Sequence, residues 1–112
     1  MARFLAVYTM QPEAVTRFRA MPKADQDAVD AVGLEQWKEW ERRHAAAFLE
    51  PGGMVGKTLR VGKSGTAPAT NTICGYVVVE ADTIEDAARI FEDHPHIKTF
   101  PGEGIDIMPF VT

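Results

Sequence analysis

The sequence has a single cysteine, Cys74, so it cannot form a disulfide within the chain. It has no apolar run as long as a membrane-spanning helix, and its first residues become polar too early for a secretion signal. Lysine and arginine are not clustered, and the formal net charge of −4 argues against general nucleic-acid binding. We therefore expect a protein of a reducing, cytoplasmic setting, with neither a membrane nor a nucleic acid as partner.

The glycine motifs of nucleotide-binding proteins are incomplete. Residues 52–66, GGMVGKTLRVGKSGT, contain Gly-Lys-Thr and Gly-Lys-Ser, the two possible endings of a phosphate-binding loop. The glycine required five residues before each ending is replaced by Pro51 and by Lys57. The sequence also lacks a dinucleotide glycine pattern, a paired-cysteine metal motif and a Ser-His-Asp order. We therefore expect no bound cofactor and no metal.

The composition, with 46% hydrophobic and 25% charged residues, is typical of a globular protein, and the length predicts one domain over residues 1–112. Residues 2–8, ARFLAVY, and residues 72–80, TICGYVVVE, are apolar at nearly every position. That pattern predicts two strands buried on both faces. Residues 104–110, GIDIMPF, predict a last strand, and Pro109 within it belongs at a sheet edge.

A long helical segment follows Pro12, with interruptions expected at Pro22 and Gly33. Its periodicity is clearest over residues 34–50, where large side chains recur on one helix face. The residues on this face are Trp37, Trp40, His44, Ala47 and Phe48. Residues 51–53, Pro-Gly-Gly, are expected to end the helix.

Residues 54–61, MVGKTLRV, predict a second strand, and we expect the Gly/Ser/Thr/Pro/Ala-rich segment after it to be a loop. Residues 82–93, DTIEDAARIFED, predict a second helix that opens with a capping-box pattern at Asp82 and Glu85 and ends before Pro95. The order βαββαβ is the ferredoxin-like arrangement, an α+β fold with a four-stranded antiparallel sheet and helices on one face. Its first and third strands are central, which agrees with their apolar faces.

The two apolar faces of the central strands also predict a homodimer. Two helices cover only one face of a four-stranded sheet, so the other face needs a partner. The economical partner is a second copy packed sheet to sheet, with residues such as Phe4 or Leu5 against their equivalents. An uncovered apolar sheet would make a monomer prone to aggregation.

Several segments resemble the YCII-related family, whose larger branch is named for a DGPF motif. They are FLAVYT, the Trp37 and Trp40 helix leading to residues 51–53, GYVVVEADTIEDAARIFEDHP at residues 75–95, and IDIMPF. The DGPF tetrapeptide is absent, and the corresponding connection reads KSGTAPATNT, which indicates a divergent relative. The resemblance implies the dimeric α/β-barrel version of the fold, and a histidine with an aspartate in a cleft as candidate catalytic groups.

Two histidines are candidate acid–base residues. His44 shares its helix face with Trp37 and Trp40; it is either a partly buried histidine bonded to a backbone carbonyl or an acid–base group between two indole walls. His94 follows the second helix, whose dipole would favour the charged imidazole. It is either a structural cap or a catalytic residue, with Asp93 orienting an imidazole.

Three further residues are candidate ligand contacts. Lys57 shares its predicted strand face with apolar residues, so it either covers them with its stem or anchors an anion, with Arg60 nearby. Tyr76, on a central strand, is expected in the core or the interface and offers a hydroxyl to a ligand.

The His94-Pro95-His96 pattern is a weak metal motif, because proline separates the rings and no third ligand is evident.

Two functions stay open at this level. The first is a non-catalytic dimer that binds a small metabolite in a cleft between sheet and helices. The second is an enzyme that acts without a cofactor on a small anionic or aromatic metabolite. In the second, His94 or His44 would move a proton while Lys57 holds negative charge. The fold does not choose between them, since ferredoxin-like barrels host many functions.

Overall fold

A computed structural model describes all 112 residues as a β-sheet with helices on one face. The strands are β1 (Ala2–Thr9), β2 (Phe48–Met54), β3 (Thr58–Gly62), β4 (Gly65–Ala69), β5 (Ile73–Ala81) and β6 (Gly104–Pro109). The helices are α1 (Pro12–Ala20), α2 (Lys23–His44), α3 (Ile84–Ile90) and α4 (Pro95–Lys98). None of the helices combines the length and the apolar character that crossing a membrane requires.

The main sheet is antiparallel with strand order β2-β5-β1-β6, which confirms the predicted ferredoxin-like fold. The two strands with apolar faces, β1 and β5, are central, and Pro109 lies in edge strand β6 as predicted. One face of the sheet packs on the helices and forms the core. Its buried residues are Phe4, Ala6, Tyr8, Trp40, Val77, Val79, Ala81, Ala87 and Phe91.

The predicted end of the long helix was wrong. Helix α2 ends at His44, and one 3-10 turn, Ala45–Ala47, leads into β2. Phe48 leaves the helix because its ring packs on Trp40, with ring centroids 5.3 Å apart, while its backbone pairs with Val79 of β5. Packing against the sheet therefore outweighs the helical period that continues through this segment.

Residues 51–53, Pro-Gly-Gly, lie in a bulged edge strand instead of ending a helix. The pairing of β2 with β5 shifts register on both sides of Glu50. Gly52 has a φ of +62°, and a Cβ there would lie 2.0 Å from the carbonyl oxygen of Tyr76. Proline at an edge and glycine at a bulge are both compatible with a strand.

Residues 58–69 form a separate hairpin in which β3 and β4 pair only with each other. The predicted second strand was therefore misplaced, and the segment expected to be a loop contains β4. Gly62 and Gly65 pair at the turn, where Gly65 has a φ of +119°. Lys57 precedes the hairpin, so it does not share a strand face with apolar neighbours.

The helices differ from expectation in two details. Helix α2 continues through Gly33, and glycine at this position allows the close approach of the Phe100 ring, with which a Cβ would clash. Helix α3 is capped by Thr83, whose Oγ1 accepts the N–H of Asp86 at 3.0 Å, instead of by the preceding aspartate. The expected break at Pro22 is confirmed, since α1 ends before it and α2 begins after it.

Candidate functional site

A cavity of about 580 Å³ lies between α2, edge strand β2 and the helix-facing side of the sheet. Seventeen residues line it, and ten of them are hydrophobic. The aromatic lining residues are Tyr8, Trp37, Trp40, Phe48, Tyr76 and Phe100. A concave site of this volume with a mainly apolar wall is typical of small-molecule binding.

The two tryptophans of the sequence both line this cavity, and packing holds each in place. Trp40 is fully buried, and its Nε1 donates a hydrogen bond to the carbonyl of Ile90 at 2.7 Å, which ties α2 to the end of α3. Trp37 is half-buried and packs on Tyr8, with ring centroids 5.1 Å apart. The helix thus presents a fixed aromatic wall to the sheet.

Two buried histidines lie beside the cavity at the start of α4. His94 is the N-cap residue of α4, and its Nδ1 accepts the backbone N–H of His96 at 2.9 Å. Its Nε2 lies 3.4 Å from the hydroxyl oxygen of Tyr8. His96 lines the cavity, and its Nε2 donates to the carbonyl of Thr9 at 2.8 Å.

Burial keeps these titratable groups neutral at pH 7. The pKa of His94 is lowered to about 3, mainly by burial and to a smaller extent by the nearby imidazoles of His96 and His44. Burial also lowers the pKa of His96, although bonding to backbone carbonyls acts in the opposite direction. Burial raises the pKa of the Tyr8 phenol, as does the negative charge of Glu41.

The expectation that a helix dipole favours charged His94 was therefore wrong. His94 precedes the N-terminus of α4, where the dipole opposes a positive charge, and it is fully buried. Asp93 is exposed and has a φ of 62°. The side-chain hydrogen bonds of the two imidazoles go to Tyr8 and to the backbone, and none goes to Asp93.

The predicted site residues are only partly brought together. Of the predicted ligand contacts, Trp37, Trp40 and Tyr76 line the cavity, whereas Lys57 and Arg60 are exposed in and beside the β3–β4 hairpin. None of the three predicted catalytic residues lines it. These are His44, Asp93 and His94.

His44 lies at the end of α2, half-buried, with its ring centroid 5.5 Å from that of Trp40. Burial lowers the pKa of its imidazole, and the charge of Arg43 lowers it further. The His44 ring packs against Trp40 at the end of α2, and His44 does not line the cavity.

Several lining residues were missed by reasoning from the sequence. They are Tyr8, Met10, Asp30, Lys38, Glu41, His96 and Phe100. The alternation in β1 places Tyr8 on one face with Phe4 and Ala6, but it does not say which face meets the helices. Glycine at position 33 was a usable signal, because an unexplained glycine within a helix indicates a close neighbour.

The structure has no group of three or more His, Cys, Asp or Glu side chains that could hold a metal ion. The two imidazoles at the start of α4 are 6.5 Å apart, centroid to centroid, and one nitrogen of each is engaged with the backbone.

The strand order and the helices on one sheet face define an α+β protein of the ferredoxin-like type. No protein-family model matches the sequence, and no curated protein matches it. The chain is similar in structure to 5-chloro-2-hydroxyhydroquinone dehydrochlorinase (TftG) from Burkholderia phenoliruptrix AC1100, solved in complex with 2,5-dihydroxybenzoquinone. The TM-score is 0.55 at 14% sequence identity, over 96% of this chain and 92% of the dehydrochlorinase. A likeness at this identity shows the fold alone.

Proposed function

We propose that the chain is a homodimer that binds a small, uncharged aromatic metabolite in the cavity between α2 and the sheet. We also propose that it is a divergent member of the YCII-related family. The observation that carries the binding proposal is the aromatic lining of about 580 Å³ of space, in which packing holds Trp37 and Trp40 in place. Aromatic rings stack on such walls in offset or edge-to-face geometry, which adds to the gain from burying apolar surface.

The charges of the cavity favour an uncharged ligand over an anion. Asp30 and Glu41 line it together with one cation, Lys38, so the lining carries a net negative charge. Lys57 and Arg60, the expected anion contacts, lie elsewhere. A negatively charged ligand would therefore be repelled by two carboxylates and attracted by a single ammonium group.

The structural neighbour supports a ligand of this size and shape. That protein is a dehydrochlorinase solved with 2,5-dihydroxybenzoquinone, a single-ring compound. The neighbour supports only the point that a fold of this kind accommodates a small ring. The chemistry of the neighbour is not transferred to this chain, since 14% identity says nothing about its reacting groups.

The dimer proposal rests on the sheet face that the helices leave uncovered. Leu5 of β1 and Val78 of β5 stand opposite each other on the central strands, on the face away from the helical core. The Cα atoms span 44 × 43 × 18 Å, a flat shape that fits one sheet with a single helical layer. A second copy packed on this face would bury both apolar residues.

The binding proposal is tested by following the two indole N–H signals in NMR spectra while acetophenone or benzoate is added. The two probes are similar in size, but only benzoate is charged. We expect acetophenone to shift the indole signals saturably and benzoate to bind at least several-fold more weakly. Shifts that do not saturate with either probe would rule out the cavity as a binding site for rings of this kind.

Two glycine variants localise any binding that is observed. Gly53 lines the cavity, and a Cβ added there meets no atom within 4 Å, so Gly53→Phe adds a ring at the cavity lining without a backbone clash. Gly56 also has open space around an added Cβ but does not line the cavity, so Gly56→Phe is the matched control. Acetophenone binding should be lost in the first variant and kept in the second.

A second candidate function is catalysis without a cofactor, and the position of His96 favours it. This neutral imidazole borders the cavity, and its Nε2–H donates a hydrogen bond to the carbonyl oxygen of Thr9. Its Nδ1 therefore carries a lone pair that can accept a proton. The candidate acid–base residue of this proposal is therefore His96, in place of His44 or His94 with Asp93. A ligand that is converted by the wild type and only bound by His96→Gln would support it, and turnover unchanged in that variant would oppose it.

A further inference from the structure

The hydrogen bonds around His94 fix the position of the proton on its ring. The backbone N–H of His96 points at Nδ1 from 2.9 Å, so Nδ1 must present its lone pair. A proton on Nδ1 would set two N–H groups against each other, which excludes both the Nδ1–H tautomer and the imidazolium. The remaining form is the neutral ring with its proton on Nε2.

The proton on Nε2 decides the direction of the hydrogen bond to Tyr8. Nε2 lies 3.4 Å from the Tyr8 hydroxyl oxygen, so Nε2–H donates and the hydroxyl oxygen accepts. The proton of the hydroxyl itself is therefore not directed at His94. The structure offers it no other acceptor, because the bond to His94 is the only hydrogen bond that the Tyr8 hydroxyl makes.

A buried hydroxyl with an unused proton is costly unless something accepts that proton. Tyr8 is only 3% exposed, so bulk water does not surround it. It lines the cavity, which is the open space next to it. The phenol also stays protonated at neutral pH, because burial and the nearby Glu41 carboxylate raise its pKa.

We infer that the Tyr8 hydroxyl donates a hydrogen bond to an oxygen of the ligand, and that the cavity therefore selects aromatic compounds with a carbonyl or similar acceptor oxygen. His94 is a positioning residue in this arrangement. Its Nδ1 accepts the backbone N–H of His96, and its Nε2–H donates to the hydroxyl oxygen of Tyr8. The inference rests on the proposed function, because it names the ligand class of the same cavity.

The test compares acetophenone with α-methylstyrene, which has nearly the same shape but carries a methylene group in place of the carbonyl oxygen. Affinities are measured by NMR titration in the wild type, in Tyr8→Phe and in the control Gly56→Phe. The wild type and the control should bind acetophenone about 2- to 10-fold more tightly than α-methylstyrene, the range of one neutral hydrogen bond. Tyr8→Phe should bind the two probes equally.

The possible failures are distinguishable. Equal affinity for both probes in the wild type, with binding lost in Gly53→Phe, would overturn the role of Tyr8 and leave the proposed function intact. A preference for acetophenone that persists in Tyr8→Phe would also overturn it. Absence of binding by either probe to the wild type would remove both proposals together.

A measurement on the wild type alone guards against a Tyr8→Phe protein that does not fold. The ¹⁵N–¹H correlation spectrum of the His94 ring reports which nitrogen carries the proton. We expect the Nε2–H form at pH 7. Detection of Nδ1–H would mean that Tyr8 donates to His94 instead, and the inference would fail.

Discussion

Among single residues, His94 departs furthest from expectation, because burial favours its neutral imidazole where a helix dipole was expected to favour the charged one. His94 has no exposed surface, and it is enclosed by the rings of Tyr8, Trp37, Trp40 and Phe91. The sequence showed a His-Pro pair after a helix, but not that the next helical turn begins there. Because His94 precedes the N-terminus of α4, the dipole of that helix disfavours the charged imidazole, which the preceding helix was expected to favour.

This burial predicts a loss of stability on mild acidification. The pKa of His94 is about 3 in the folded protein and ~6.5 in the unfolded chain. Between these values the unfolded chain binds more protons, so the contribution of His94 is complete above pH ~6.5 and declines as the pH falls towards 3. The pKa of His96 is lowered too, and acts in the same direction.

Thermal unfolding measured at steps from pH 7 to pH 5 checks this, because most carboxylates stay charged over that range. We expect the Tm to fall steadily, and most of the fall to remain in His44→Gln, since His44 is only half-buried and the fully buried His94 and His96 are kept in that variant. A Tm independent of pH over this interval would contradict the neutral, buried state of the two imidazoles.

At the scale of elements, the central strands and the edge position of the last strand could be predicted, because apolar residues on both faces and a proline are direct signals. The second strand could not. Residues 48–50 continue the helical period of α2, and residues 51–53 read as a helix stop. Only the pairing of Phe48 with Val79, and its contact with Trp40, turn this segment into a strand.

The residues that line the cavity also divide into those with a local signal in the sequence and those without one. The helical spacing of Trp37 and Trp40 places both on one helix face, and in the structure both line the cavity. The opposite wall comes from the β2 bulge and from Phe100 in the loop before β6, and neither has a local sequence signal. Contacts between segments distant in sequence therefore set most of the site.

The β2 bulge gives a prediction about glycine. Gly52→Ala should destabilise the protein by ~2 kcal/mol or more, because alanine is strained at a φ of +62° and its Cβ would clash with the Tyr76 carbonyl. Gly53→Ala, one residue later, has open space for its Cβ and should change stability little. Urea unfolding of both variants makes the comparison, and equal stabilities would mean that the bulge is not formed.

The β3–β4 hairpin should open independently of the main sheet. It pairs only with itself, and Leu59 and Val61 on β3 are 65% and 82% exposed. An isolated two-stranded hairpin is marginal in water. In hydrogen exchange followed by NMR, we expect amides of β3 and β4 to exchange much faster than those of β1 and β5. Comparable protection in the hairpin would show that it packs against something outside this chain.

At the scale of the whole molecule, we expect a second copy to cover the sheet face that the helices leave open. Val78→Lys places a charge in the centre of that face and should give a monomer. Val32→Lys makes the same change on an exposed position of α2, where it should leave the dimer intact. Size-exclusion chromatography with light scattering reports the masses, and a wild-type monomer would refute the sheet-to-sheet arrangement.

The most direct test of the central claim is a crystal structure of the protein grown with acetophenone. We expect one probe molecule per chain in the cavity, with its ring against Trp37 and its carbonyl oxygen within hydrogen-bond distance of the Tyr8 hydroxyl. Two chains should meet through their sheets in the same crystal. A cavity that holds only water at saturating probe, or that is filled by its own side chains, would contradict the binding function proposed for this protein.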